Sequence, residues 1–271
     1  MDTRAIGIFD SGLGGLTGLM ALRALLPEEN LIYFGDTGRM PYGGRSAAQL
    51  RRMARQNLDF VASFGVKAIF VACGTLSSTA ADLLAAYPIP CFGVLRAGVE
   101  AMARVPGDGP LAVIATEASI RSGAFAAALH ERCPNRAVLP IACPNFVPLI
   151  ESGHTRPGDP ALEDALACYL GPVKAVGAQA LLYGCTHYGI IDEAVRRYLG
   201  PGVQTVSASE SAARELRDYL VENGLAGGSG ATRFFTNGYP PAFAAGAERL
   251  LGRRLSAPVE PVPIWDVGGD L

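Results

Sequence analysis

The sequence predicts an α/β protein of two similar domains, each a parallel-type sheet flanked by helices, related by a pseudo-twofold with the active site in the interdomain cleft. Three observations carry that expectation. Short apolar runs alternate along the chain with longer segments of helical period. Two of those runs, Ala68-Ile69-Phe70-Val71-Ala72 and Ala180-Leu181-Leu182-Tyr183-Gly184, each deliver a cysteine, Cys73 and Cys185, ahead of a helix-forming segment. A strand followed by Asp10-Ser11 and later Cys73-Gly74-Thr75 is also echoed by a strand followed by Thr116 and later Cys185-Thr186-His187.

In chain order, residues 5–9, 31–34, 67–72, 91–94, 111–115, 137–142, 179–183 and 203–206 read as strands, with 232–236 as a further one. Segments near 15–26, 46–64, 76–86, 119–132, 160–176, 188–199 and 208–223 repeat apolar residues at helical spacing, and a last helix falls near 240–251. The alternation implies βα units with right-handed crossovers and sheets covered on both faces. Val105-Pro106-Gly107-Asp108-Gly109-Pro110 is a turn-rich break, and Leu225-Ala226-Gly227-Gly228-Ser229-Gly230 is a flexible loop. With the halves related as above, the first domain spans 1–95 plus 209–271 and the second 96–208, the last segment packing back onto the first half. Ligands of open α/β sheets bind beyond the carboxyl ends of strands. That rule puts Asp10, Asp36, Cys73, Thr116 and Cys185 on the functional edge.

Composition narrows the class. At 271 residues the chain can bury a large core, and 49% hydrophobic against 18% charged residues is the balance of a globular enzyme. A net charge of −2 gives no nucleic-acid or membrane surface. Met1-Asp2-Thr3-Arg4 runs straight into an apolar strand, with no room for a secretory leader, and no apolar run approaches the ~20 residues of a membrane span. A cytoplasmic protein is therefore expected. Its six cysteines include no Cys-x-x-Cys pair and should be free thiols, with Cys91, Cys133 and Cys168 serving as small buried hydrophobes.

Asp10-Ser11-Gly12-Leu13-Gly14-Gly15-Leu16 looks like a phosphate loop, but Thr17 stands where a dinucleotide fingerprint needs glycine. A strand-to-helix turn whose N–H groups can hold a carboxylate fits better, with Asp10 contacting an ammonium or helping a base. The plain structural alternative is a helix cap at Asp10 or Ser11. Cys73 and Cys185 each precede a helix start, where the dipole favours a thiolate, and His187 lies two residues beyond Cys185. Two facing thiols can form a redox pair, a metal site or opposed acid–base groups. No second thiolate or histidine stands at ligand spacing, so no metal is expected, and the missing Cys-x-x-Cys weakens the redox reading. Opposed acid–base groups fit best: one sulfur removes a proton from a carbon acid and the other returns one to the opposite face, inverting the centre.

Several ordered motifs resemble the glutamate racemase family, within the aspartate/glutamate racemase superfamily. They are Phe9-Asp10-Ser11-Gly12-x-Gly14-Gly15-Leu16-Thr17, Gly35-Asp36-Thr37-x-Arg39-x-Pro41-Tyr42-Gly43, Ala72-Cys73-x-Thr75, Ala142-Cys143-Pro144-x-Phe146-Val147-Pro148-Leu149-x-Glu151 and Gly184-Cys185-Thr186-His187-Tyr188, with a tail around Phe235-Thr236-x-Gly238 and Leu251-Gly252. The resemblance implies a cofactor-independent 1,1-proton transfer between L- and D-glutamate, the D-form serving cell-wall peptidoglycan. By position, Cys73 and Cys185 would be the two bases, assisted by Asp10, Glu151 and His187. Ser11, Pro41, Tyr42, Gly43, Gly74, Thr75 and Thr186 would hold the substrate, with Thr116 and Ser119 serving its carboxylates. The partner implied is a small amino acid, and a homodimer is compatible with the sequence without being set by it. Lys67 and Lys174 are the only lysines, and neither ends a strand, as a pyridoxal phosphate site would want.

The chain departs from the family pattern in four places. Gly74 stands where the family usually has asparagine, Gly189 and Ala97 where it has proline, and Arg96 adds a charge near the domain junction. A lost carboxamide contact would cost about 1–3 kcal/mol if nothing replaced it, and the four changes together should open the pocket and alter its charge. A second reading is a superfamily racemase or decarboxylase acting on another carbon acid, the retained cysteine pair arguing against the decarboxylase. A third is a two-domain binding protein without chemistry.

Overall fold

The computed structural model describes residues 2–42 and 44–265. Along the chain run β1 (Ile6–Asp10), α1 (Leu16–Leu25), β2 (Leu31–Gly35), α2 (Ala47–Ala62), β3 (Ala68–Val71), α3 (Gly74–Thr79), α4 (Ala81–Ala85), β4 (Cys91–Gly93) and α5 (Val94–Ala103). Next come β5 (Leu111–Ala115), α6 (Glu117–Arg121), α7 (Ala124–Arg132), β6 (Val138–Ala142), α8 (Phe146–Glu151), α9 (Pro160–Ala175) and β7 (Ala180–Tyr183). A 3-10 turn (Thr186–Ile191) leads into α10 (Asp192–Leu199), β8 (Gln204–Ser207), α11 (Ala208–Glu222), β9 (Thr232–Thr236), α12 (Pro240–Leu251) and β10 (Val259–Pro261).

The described strands form two sheets, ordered β10-β9-β2-β1-β3-β4 and β6-β5-β7-β8, and every pairing is parallel. Parallel pairing aligns the carboxyl ends. Asp10 sits opposite Gly35 and Phe9 opposite Val71 in the first sheet, while Ile114 sits opposite Tyr183 in the second. One continuous core takes Ile8, Tyr33 and Phe70 from the first sheet, Val113 and Leu182 from the second, and the buried faces of α1, α5 and α11. Two further cores cover the outer faces, one around Phe9, Phe34 and α2, the other around Ile114, Leu181 and α9.

The elements form for local reasons. The capping box of Ser46 and Gln49 starts α2, which then buries Leu50, Met53, Ala54, Leu58 and Val61 along one face. Asp159 caps α9, whose first residue is Pro160. The expected helix over 119–132 is two helices, because Gly123 turns the chain with a left-handed φ of 70°. The segment 76–86 is likewise two short helices meeting at Ala80, and 188–199 begins as a 3-10 turn. Helix α5 was not expected from the sequence. Gly98 interrupts its pattern, yet a Cβ there would come within 2.9 Å of Ala208 Cβ, so the glycine is what lets α5 and α11 cross closely.

Lys67, at the start of the first sheet's third strand, is fully buried. Its ammonium reaches the carbonyls of Asp2, Leu225 and Gly227 and lies 2.6 Å from Glu29. This pair ties the 225–230 loop to the amino end of the sheet, far from the carboxyl edge. Among the described residues no helix is long and apolar enough to cross a membrane.

Candidate active site

The carboxyl edges of both sheets line one cleft of about 550 Å³. From the first half come Asp10, Ser11, Pro41, Tyr42, Cys73, Gly74 and Thr75; from the second come Thr116, Glu151, Thr186, His187 and Cys185. The cleft therefore gathers every site residue that the family resemblance implied except two. Ser119 is buried one layer back, its hydroxyl 3.0 Å from that of Thr116 and 3.5 Å from that of Thr75. Gly43 lies outside the described residues.

Asp10 is 1% exposed, and its carboxylate accepts from the N–H groups of Gly12 and Gly15, both at 3.0 Å. The glycine turn thus does hold a carboxylate, but it is the chain's own. Burial raises the Asp10 pKa, while the charge of His187 and the backbone donors pull it down. Tyr33 donates to the Gly12 carbonyl at 2.8 Å and fixes the turn from below. At Gly14 a Cβ would overlap the His187 ring and the Thr186 hydroxyl, so glycine there lets the second half lie directly on the first.

Cys73 caps α3 and is 4% exposed. The sequence argument expected the helix start to favour its thiolate. Burial wins instead: with Asp10 adding like charge, it pushes the thiol up to about 12, and the Leu76 N–H and Ser11 offset only part of this. At neutral pH Cys73 is therefore a thiol.

Cys185 is differently served. Its Sγ lies 3.8 Å from His187 Nδ1, and His187 Nε2 lies 3.1 Å from Glu151 Oε1. Burial alone would lower the His187 pKa, but the bonds to Cys185 and Glu151 outweigh it and bring the imidazole to about 10. His187 is therefore an imidazolium at neutral pH, and its positive charge stabilises any negative charge that develops on the adjacent sulfur. The Tyr188 hydroxyl, donating to the Cys143 carbonyl at 3.0 Å, anchors the turn.

Asp36 follows its strand as expected, yet it does not line the cleft. Its carboxylate, fully buried, accepts from Arg39, from the Tyr42 hydroxyl and from Asn237 Nδ2 at 2.6 Å. It stands behind the Pro41-Tyr42 wall and holds it. Pro41 follows a cis peptide bond. The hydroxyls of Thr75 and Thr116, 3.1 Å apart, join the two halves at one side of the cleft, and Thr17, donating to the Thr186 carbonyl at 3.0 Å, joins them at another.

Met40, Glu117, Cys143, Val147 and Gly184 also line the cleft, and sequence reasoning did not select them. Cys143 was within reach of the rule used for Thr116, since it directly follows β6, and Glu117 stands one residue further past β5 than Thr116 does. Of the four departures from the family pattern only Gly74 reaches the cleft. Arg96 pairs with Glu215, Ala97 is buried in α5, and Gly189 borders a separate groove. Their expected opening and recharging of the pocket is therefore not what the structure has.

Among the described residues no lysine or arginine lines the cleft, so a ligand's carboxylates would meet hydroxyls and backbone donors there. No group of three metal-ligating side chains gathers among them either. Lys174 lies over the Tyr198 ring, away from the cleft.

Residues 19–216 match the family model described as Asp/Glu/Hydantoin racemase. The chain is 40% identical to a glutamate racemase of Chlorobaculum parvum over 229 residues, 84% of each chain. It is similar in structure to glutamate racemase from Francisella tularensis in complex with D-glutamate, with a TM-score of 0.87, 36% identity and coverage of 97% and 98% of the two chains. Glutamate racemase from Thermus thermophilus in complex with beta-chloro-D-alanine gives the same TM-score at 40% identity, covering 97% and 99%.

Proposed function

The chain belongs to the Asp/Glu/hydantoin racemase family, and from that premise we propose that it is a cofactor-independent glutamate racemase. The observation that carries the reading is the pair of cysteines at equivalent strand ends of two sheets, lining one cleft, each with its own ionisable helper. The relatives named glutamate racemase count against a different carbon acid, and the paired helpers count against a binding protein without chemistry.

In the proposed reaction the α-carbon of glutamate lies between the two sulfurs. The thiolate on one side takes the α-proton, the electron pair moves into the α-carboxylate, and the thiol on the other side delivers its proton to the opposite face. One turnover leaves the enantiomer bound and the two sulfurs with exchanged protonation. Cys73, held as a thiol by burial, is suited to the donor role in the resting site. At Cys185 the imidazolium of His187, oriented by Glu151, stabilises charge on the sulfur. Asp10, beside both Cys73 and His187, serves the substrate ammonium. Ser11, Thr75, Thr116 and Thr186, with Ser119 behind them, serve the carboxylates, while Pro41 and Tyr42 close the wall. The two sheets support a division into 1–95 plus 209–271 and 96–208, with the site between. The product D-glutamate would supply peptidoglycan synthesis in the cytoplasm, as the family resemblance implies.

The test is direct. Purified protein incubated with L- or D-glutamate and no added cofactor should bring the optical signal to zero from both sides. A signal that stays constant from both enantiomers would refute the reading.

A further inference from the structure

We infer that Gly74 is a positioning residue that sets how far the cleft closes, by allowing α3 to rest directly on the main chain of Gly184. The inference rests on the racemase reading for its kinetic consequence and on geometry for the closure itself.

Gly74 is buried at the first position of α3, and its φ is not left-handed. Nothing in its backbone conformation asks for glycine, and helix propensity alone favours alanine. The reason is the neighbour. A Cβ at 74 would overlap the Gly184 carbonyl oxygen, with the Gly184 carbonyl carbon at 3.2 Å and Cys185 Cα at 3.8 Å. These are backbone atoms, and they are held. The Gly184 N–H donates to the Ile114 carbonyl at 2.8 Å, the Tyr188 N–H to that of Cys185 at 3.1 Å, and Gly184 itself lies against Ala115 and Phe125. On the other side, the Ala72 N–H donates to the Phe9 carbonyl at 3.0 Å and the Ser77 N–H to that of Cys73 at 2.9 Å. A side chain at 74 is therefore accommodated only by moving one half against the other. That movement separates Cys73 from Cys185, each of which adjoins one partner of the contact, and strains the Thr75–Thr116 bond beside it.

The glycine is thus more than the absence of the asparagine usual at this position. Two accounts give opposite expectations for Gly74→Asn. If the position merely lacks a substrate contact, the substitution raises glutamate turnover. If Gly74 sets closure, Gly74→Asn and Gly74→Ala both lower it.

The experiment compares the wild type with Gly74→Ala and Gly74→Asn by two readouts: kcat/KM for glutamate, and iodoacetamide labelling of each cysteine at pH 8, read by mass spectrometry. Cys133 is buried outside the cleft and Cys168 is exposed, so they report global unfolding and reagent activity. The expected result is severalfold faster labelling of Cys73 and Cys185 in both variants, unchanged labelling of Cys133 and Cys168, and a fall in kcat/KM of about 10- to 100-fold, the scale of a reacting-group displacement near 1 Å. Unchanged labelling of Cys73 and Cys185, equal acceleration at Cys133, or turnover by Gly74→Asn at or above wild type would overturn the inference. A wild type without racemase activity whose variants still label selectively would instead refute the functional reading and leave the closure role standing.

Discussion

Replacing His187 with glutamine removes the charge that faces Cys185 while keeping a polar side chain of similar reach. At the observed 3.8 Å, two unit charges in a medium of effective dielectric near 20 attract by about 4 kcal/mol, and a hydrogen bond to a charged group contributes about 1.5–3 kcal/mol. The cleft opens to solvent, so a loss of roughly 2–4 kcal/mol in transition-state stabilisation is expected, about 30- to 1000-fold in kcat/KM. Enantiomers are equal in energy in water. The fall must therefore be the same for L- and D-glutamate, whichever sulfur is the base in each direction. Circular dichroism of both reactions measures it, and a loss under about threefold would refute the role given to His187. The same variant carries a stability signature. The folded imidazole titrates near 10, above its ordinary 6.5, so its contribution is complete below pH 6.5 and is lost as pH rises towards 10. Over that window the wild type should lose stability relative to His187→Gln with a slope approaching about 1.4 kcal/mol per pH unit. Urea titrations across the window would show it, and parallel pH profiles for the two proteins would contradict it.

Two further substitutions probe the frame that holds the cleft. Lys67→Met removes the ammonium that pairs with the buried Glu29 carboxylate and should cost about 3–5 kcal/mol by urea denaturation, much of which Lys67→Met/Glu29→Leu recovers; equal stability of the single and double variants would show that the broken ion pair is not the cause. Asp36→Asn replaces the acceptor shared by Arg39, Tyr42 and Asn237 and should lower the melting temperature while raising KM more than it lowers kcat, because the Pro41-Tyr42 wall loosens and the sulfurs stay in place. An unchanged KM would separate this network from substrate binding.

The strands and the position of the site were legible because parallel β-runs are short, apolar and bounded, and because several strand ends on one edge carry their chemistry at the last strand residue or within two residues beyond it. Cys73, Cys185, Asp10 and Thr116 follow from that rule alone. What escaped it depended on contacts between distant segments. Helix α5 hides behind Gly98, whose purpose is visible only against Ala208. Helix α8 is six residues with Pro148 inside, and β10 is three residues ending at Pro261, so neither has length enough to show a period. Asp36 obeyed the strand-end rule and still turned away from the cleft, since Arg39 and Asn237 offered its charge better partners than solvent. The thiol of Cys73 shows the same limit. A helix start is readable in a sequence, whereas the burial that overrides it is not.

The central claim is that two opposed sulfurs exchange the α-proton of one amino acid. It is tested most directly by incubating wild type, Cys73→Ala and Cys185→Ala with L- and D-glutamate in D2O and following the α-proton by NMR. The account predicts deuterium at the α-carbon with inversion in the wild type, and loss of inversion in each single variant. Inversion at a near wild-type rate by either variant would contradict it.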